Sequence, residues 1–338
     1  MEVKTMARIA RVHGSGLSNL KLDQLVLPDP KNNDVKLKVL STTITGDQLN
    51  FINGRRLPGE ANHHDVYPLG YEATGIVTEI GPDVDPKWLN QAVTPIGPYD
   101  FNRYPSLGDE IIVPADRLVL TPSNLSPEQA TILWVPYLTA YALKYLGHIS
   151  ATDRVLIVAG TSSVGLAAIQ IAQATGAQVF ATTRSREKAQ QLKDITGLPE
   201  EHIIISSEVN LLDQINSLTA GQGVSLIFDP IGGDTITDLA EVAAPQAMII
   251  EYGVINGLEA PLPVSQLIGK GLTIRGWAVS EVVENPPARK QAVDYILQNV
   301  EDGHFSPHVA KTYPLSEVVT AYQDLQINRQ VGRIVLKP

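Results

Sequence analysis

Apolar and polar positions change rhythm twice along this chain. Before residue 121 the apolar positions come in short runs broken by Gly and Pro, at 8–13, 35–43, 73–80 and 110–113. That texture predicts strands of an irregular, mainly antiparallel β domain. Longer polar stretches at 53–68 and 81–107 predict loops, where binding residues commonly sit. Near Ser126 the rhythm shifts to helical spacing. Ser126-Pro-Glu-Gln129 reads as a helix start with Pro127 in the first position, and a second helix is expected over 136–146. Strand and helix rhythms then alternate, with strands at 155–159, 178–182, 203–205, 225–228 and 247–251. Helices are expected between them at 164–175, 211–218 and 235–243. This alternation predicts a parallel sheet with right-handed crossovers. After Gly271 the pattern loosens into a strand at 272–277, helices at 289–301 and 318–325, and a strand at 332–336. The expected domains are 1–122, 123–271 and a return of 272–338 to the first domain.

Composition narrows the classes. With 338 residues, 43% hydrophobic and 18% charged, the chain is long enough for two ordinary globular domains. A formal charge of −10 argues against a nucleic-acid surface, which needs basic residues to neutralise phosphates. The chain has no cysteine, so disulfides, thiol nucleophiles and thiolate metal sites are excluded. No apolar run approaches the roughly 20 residues of a membrane span, and the first residues lack a signal-peptide apolar block. A cytoplasmic protein without a membrane partner is the expectation.

The densest chemistry lies between Arg154 and Arg184. The β-branched run at 155–159 reads as a buried parallel strand. A turn of small residues follows (Gly160, Thr161, Ser162, Ser163), then a helix that Gly176 ends, then a second strand. Such a strand–turn–helix–strand unit sets a helix N-terminus against the pyrophosphate of a dinucleotide. Gly160, Ser162 and Gly165 occupy the first, third and sixth positions of a Gly-x-Gly-x-x-Gly frame, and Val164 completes the turn. Serine replaces the middle glycine, is small enough for close approach, and has a hydroxyl that can donate to a phosphate. Gly165 allows close helix packing. At the end of the second strand, Thr182-Thr-Arg-Ser-Arg-Glu-Lys188 contains no acid before Glu187 to take ribose hydroxyls. Arg184 and Lys188, with Thr183 and Ser185 beside them, suit a 2′-phosphate and hence NADPH; a solvated basic cluster is the bland alternative.

With the dinucleotide turn, five motifs stand in a consistent order: Gly70-Tyr-Glu-Ala-Thr-Gly-Ile-Val-Thr-Glu-Ile-Gly81, Leu138-Thr-Ala-Tyr141, the turn itself, Phe228-Asp-Pro-Ile-Gly-Gly233 and Gly332-Arg-Ile-Val-Leu336. Together they resemble the medium-chain dehydrogenase/reductase superfamily over nearly the whole chain. The resemblance implies an α/β fold, with a doubly wound Rossmann domain inserted into a GroES-like β domain. Zinc members of that superfamily carry Cys-Gly-x-Asp-Leu-His-x-x-x-Gly, whereas this chain reads Thr45-Gly-Asp-Gln-Leu-Asn-Phe-Ile-Asn-Gly54. Thr45, Tyr71 and Val135 stand at the three zinc-ligand positions, and none supplies a thiolate or imidazole. The resemblance therefore points to the zinc-independent quinone oxidoreductase and enoyl reductase branch, which reduces quinones or α,β-unsaturated carbonyls with NADPH.

By the same resemblance, Thr45, Gln48, Asn50, Tyr71, Tyr137 and Thr139 meet substrate or nicotinamide, with Thr139 on the nicotinamide. Asn50 can hydrogen-bond a carbonyl, and Tyr71 is the better proton donor, or merely fills the space left by the metal. Tyr252, Gly253 and Val254 follow a Rossmann strand where family members approach the nicotinamide. Trp277 walls the pocket or belongs to the core or an interface. Tyr137 and Tyr141 are spaced to share one helix face. His63-His64, Asp83 and Asp85 read as solvated loop residues, Glu72 and Asp109 as local caps or pairs. The alternatives are a zinc-free NADP-dependent alcohol or polyol dehydrogenase and a non-catalytic NADPH-binding sensor. The family is commonly a homodimer or homotetramer, often joined through the edge strand of the dinucleotide domain, here 272–277 or its neighbour.

Overall fold

The computed structural model describes residues 6–54 and 66–338. His63-His64 lies outside them. The chain divides into two compact units, one comprising residues up to Val135 together with Val309–Pro338, the other Pro136–His308.

The first unit is built on mainly antiparallel sheet, with one parallel pair between Val309–Pro314 and Arg333–Lys337. Its larger sheet runs in the order Val309–Pro314, Arg333–Lys337, Asp34–Thr43, Ala73–Ile80, Ala92–Pro95, Leu118–Leu120, with Glu110–Pro114 paired to Asp34–Thr43 off that path. Asp34–Thr43 is the hub because it alternates buried Val35, Leu37 and Val39 over a core shared with Val77, Val93 and Ile111. A smaller sheet joins Leu20–Leu25, Ala7–His13 and Val66–Pro68. Two expected loops therefore carry pairing segments: Val66–Pro68 bonds to residues 11–13, and Ala92–Pro95 lies between two strands. Both are short, so no period-2 pattern betrays them.

The second unit holds a six-stranded parallel sheet ordered Ile203–Ile205, Gln178–Thr183, Arg154–Ile157, Val224–Asp229, Ala243–Glu251, Thr273–Gly276. Numbered within the unit this order is 3-2-1-4-5-6, the doubly wound dinucleotide arrangement, with its reversal between Arg154–Ile157 and Val224–Asp229. Leu156, Phe180, Ile204, Ile227 and Ile249 are buried in one cluster beneath the helices. Burial on both sheet faces explains why these strands read as continuous apolar runs.

The division differs from the expected boundaries at both joints. Helix Pro127–Thr131 stays with the first unit, where the Thr131 hydroxyl donates to the Ser41 carbonyl at 3.1 Å. Thr273–Gly276 does not return there, because it pairs in parallel with residues 248–251. The return begins at Val309, and Arg333–Lys337 then pairs antiparallel with Thr42 and Thr43. The helix expected over 136–146 is two helices, Trp134–Ala140 and Ala142–Tyr145.

Candidate functional site

In the second unit the strand Arg154–Ile157 is shorter than expected, because the chain turns at Ala159, whose φ is +53°. The Ala159 amide donates to the Thr182 hydroxyl (3.0 Å) and the Gly160 amide to the Thr182 carbonyl (2.9 Å), which tie the turn to the next strand. Ser162 caps the helix Ser163–Thr175, its Oγ accepting from the Gly165 amide at 2.9 Å. Its hydroxyl proton stays available, so capping and donation are compatible. Gly165 has no room for a side chain: a Cβ there would stand 2.6 Å from the Ala159 carbonyl oxygen and 2.8 Å from Gly160 Cα. At Gly160 the nearest obstacle is the Ala181 methyl, 2.9 Å away. The turn thus has the close backbone approach that a pyrophosphate cradle requires, with Thr161 buried and Ser163 and Val164 opening the helix.

At the end of Gln178–Thr183, Ser185 caps the helix Arg186–Thr196 by accepting from the Lys188 amide. Arg184 is exposed and Lys188 half-buried. Burial, and then the charge of Arg184, push the Lys188 ammonium below the usual lysine range. Thr183 Oγ1 is buried without a hydrogen-bond partner. Two cations that repel each other beside an unsatisfied hydroxyl suit a polyanionic group. Arg186 is drawn away to Glu208, at 2.7 Å.

Tyr252, Gly253 and Val254 follow Ala243–Glu251. Gly253 packs on the Pro230 backbone so closely that a Cβ would collide with the Pro230 carbonyl. The Tyr252 ring stacks on Phe228 at 4.0 Å, and its phenol is buried. The sequence reading missed its neighbours. Asp229 and Glu251 are register partners on adjacent strands, and Asp229 accepts the Ile231 and Gly232 amides at 2.9 Å each. Burial and the Asp229 charge push Glu251 up to about 8. Both acids end apolar strands, an out-of-pattern position that is the one sequence signal for them.

Tyr137 and Trp277 are packed rather than lining open space. The Tyr137 hydroxyl donates to the Gln170 side chain, which also accepts from the Ser306 amide, and its ring lies 5.0 Å from Phe305. Trp277 is buried with its ring 5.7 Å from Tyr145. Thr139 lies half-buried in Trp134–Ala140.

In the first unit, Thr45 caps the short helix Gly46–Ile52, its hydroxyl accepting from the Gln48 amide at 3.4 Å. Gln48 is buried on that helix; its Oε1 accepts from the Tyr322 hydroxyl at 3.0 Å, and its Nε2 has no partner. Burial holds the Tyr322 phenol neutral, with Asp47 and Tyr71 adding to the effect. Tyr71 packs on Phe101 at 4.4 Å, and Asn50 is exposed. Glu72 and Asp109 pair with distant residues, not local ones. Glu72 accepts from the Val135 amide at 3.1 Å and faces Arg333 at 3.3 Å, while Asp109 binds Arg8 at 2.7 Å. Thr45, Gln48 and Tyr322 are thus linked by hydrogen bonds, and Val135 meets Glu72 through its backbone amide. Among the described residues, no three His, Asp or Glu side chains gather as a metal-binding group, and no helix is long and apolar enough to cross a membrane.

Comparison with known proteins agrees with this architecture. Residues 163–298, all within the second unit, match the model of the family described as zinc-binding dehydrogenase. That stretch excludes positions 45, 71 and 135. The chain is 30% identical over 301 residues to a highly reducing polyketide synthase of Arthrinium phaeospermum; these cover 82% of the chain and 12% of the synthase. The chain therefore spans a small part of such relatives. A 2-haloacrylate reductase of Burkholderia sp is 28% identical over 279 residues, 80% of each chain. A solved quinone oxidoreductase of Pseudomonas syringae pv. Tomato DC3000 superposes with a TM-score of 0.86 at 21% identity, covering 98% of this chain and 100% of that one. With its 3-2-1-4-5-6 sheet, its glycine turn and these relatives, the chain has the fold of the solved quinone oxidoreductase, and its residues 163–298 are similar to the zinc-binding dehydrogenase family.

Proposed function

We propose that the chain is a zinc-independent, NADPH-dependent reductase of quinones or α,β-unsaturated carbonyl compounds. The observation that carries the reading is the fate of the three zinc-ligand positions. Thr45 is a helix cap, Tyr71 packs on a ring, and Val135 bonds through its amide to Glu72. With no ligand set for a Lewis acid there, the chemistry that fits is hydride addition to a conjugated acceptor, which needs only hydrogen bonds to the developing enolate. A reduced nicotinamide, when bound, supplies that hydride. The chain's own part is to hold the nucleotide and to meet the oxygen. Gly160, Thr161, Ser162, Ser163, Val164 and Gly165 cradle the pyrophosphate, and Thr183, Arg184, Ser185 and Lys188 receive the 2′-phosphate. Thr139, Tyr252, Gly253 and Val254 border the nicotinamide. Tyr71 has a phenolic proton to give, and Asn50 and Gln48 present amides. The 2-haloacrylate reductase, a relative named for a conjugated acid, supports the same acceptor class. The missing cysteines suit a reducing, cytoplasmic setting.

We also infer a homodimer. Thr273–Gly276 ends its sheet with an exposed edge, and Ile255, Leu258, Leu262, Val264 and Ile268, all exposed, precede it in the chain. An open edge beside exposed apolar side chains calls for cover, and a second copy supplies a matching edge.

The test is steady-state NADPH oxidation against quinones and enones, with alcohols run against NADP⁺. Turnover of the first two classes is expected; turnover of alcohols alone, or tight nucleotide binding without turnover, would overturn the reading. Replacing Arg184 and Lys188 by Ala is expected to raise the KM for NADPH about tenfold or more, with little change for NADH. Equal changes would remove the 2′-phosphate assignment.

A further inference from the structure

Asp229 closes the strand Val224–Asp229, which borders the reversal in strand order, and Glu251 is its direct partner on Ala243–Glu251. Doubly wound sheets take their ligands outside the carboxyl ends of the strands at that reversal. Asp229 is fully buried and satisfied as a carboxylate, each oxygen accepting one backbone amide. Glu251 is different: no donor reaches either of its buried oxygens. Two adjacent buried carboxylates resist being charged together at neutral pH, and an ionised Glu251 has nothing to receive. Its proton, placed between the two side chains, satisfies both.

The other groups around the pair leave this arrangement intact. Tyr252, next in the chain, is held neutral by burial. The Thr235 hydroxyl stands near Asp229 and the Ser162 hydroxyl near Tyr252. On the neighbouring strand Thr273–Gly276, Arg275 is taken by Glu281 at 2.6 Å. Trp277 gives its backbone amide to the Glu251 carbonyl at 2.7 Å, and its indole NH has no partner. Among the described residues, no cation pairs with Glu251.

We propose that Glu251 and Asp229 share one proton at the nicotinamide end of the sheet, and that Glu251 thereby sets how the two redox forms of the cofactor are bound as pH changes. The reduced ring is neutral and leaves the proton in place. The oxidised ring is a cation, favours the doubly charged pair, and drives the proton to solvent. Binding of NADP⁺ is then linked to proton release, and binding of NADPH is not. Glu251 acts through the field, as a specificity-determining residue. The second half of this inference rests on reading the unit as a nicotinamide nucleotide site; the shared proton does not.

Two measurements on the whole chain separate these halves. Without nucleotide, the infrared difference between wild type and Glu251→Gln at neutral pH is expected to contain a protonated carboxyl band; its absence overturns the proposal. Dissociation constants for NADP⁺ and NADPH are then measured by fluorescence titration from pH 6 to 9. The 2′-phosphate is common to both ligands, so its titration cancels in their ratio. Affinity for NADP⁺ relative to NADPH is expected to rise about tenfold with pH in the wild type. In Glu251→Gln the ratio is expected to be flat. Glu251→Ala serves as a second flat variant should the glutamine chain fold poorly. A wild-type ratio that does not move, or a Gln variant that moves equally, overturns the coupling. Failure of both nucleotides to bind while the carboxyl band persists would overturn the nicotinamide reading and the coupling together.

Discussion

An alanine at position 165 would put its methyl group against the Ala159 carbonyl and Gly160 Cα, both backbone atoms that cannot swing aside. Gly165→Ala is therefore expected to lower stability by about 1–3 kcal/mol, read from urea unfolding, and to weaken nucleotide binding. An unchanged midpoint would mean that the turn is looser than its geometry. This glycine was legible in the sequence because its role follows from spacing in a strand–turn–helix unit. Ser162 was legible as a small residue, but its cap to the Gly165 amide belongs to backbone geometry that spacing does not encode. Glu251 was passed over because a glutamate at the end of an apolar strand looks like the strand meeting solvent. Only the pairing register, which brings Asp229 opposite, shows that it is buried against a second acid. Tyr137 goes the other way: the family resemblance puts it at the pocket, while its spacing from Tyr141 suits a packed helix face, and its hydroxyl and ring are engaged by Gln170 and Phe305.

Elements were readable in proportion to how deeply they are buried. The expectation at 203–205 coincides with Ile203–Ile205, and those at 178–182 and 225–228 fall within one residue of Gln178–Thr183 and Val224–Asp229. Such strands have apolar neighbours on both faces, so composition alone marks them. Helix Arg186–Thr196 escaped notice because only Leu192 of its side chains is fully buried. Helix Val264–Lys270 escaped as well, having no buried residue at all. Its value to the unit lies in one side chain. Lys270 donates to the carbonyls of Ala240 (3.0 Å), Glu241 (2.6 Å) and Ala243 (2.9 Å), closing the C-terminal end of helix Thr235–Val242. Burial lowers its pKa despite the nearby Glu241. Lys270→Met keeps the aliphatic stem and removes the donors, so a loss of about 1–2 kcal/mol is expected in denaturant unfolding. No loss would show that water replaces the ammonium without cost.

At the scale of the whole molecule, the exposed apolar side chains before the open edge strand bear on the proposed homodimer. Ile268 is 80% exposed and Ile255 72%. If a second copy covers them, sedimentation at micromolar concentration should give a dimer, and Ile268→Glu should shift the weight-average mass toward the monomer while leaving nucleotide affinity unchanged. A wild-type monomer across the concentration range would count against the homodimer. The family resemblance points to the edge strand, but nothing in the sequence points to 255–268, whose apolar residues have no periodic partner in the chain.

The first unit also sets an order of events during synthesis. Its sheet needs Arg333–Lys337 beside Asp34–Thr43, and its buried Glu72 needs Arg333. Every residue of the second unit leaves the ribosome before those partners do. The parallel sheet can close as soon as its own strands emerge, while the earlier segment waits with Glu72 lacking its counter-charge and an unclaimed strand edge. The segment made first is thus completed last, and a released chain ending between 308 and 333 would carry one finished unit and one open sheet.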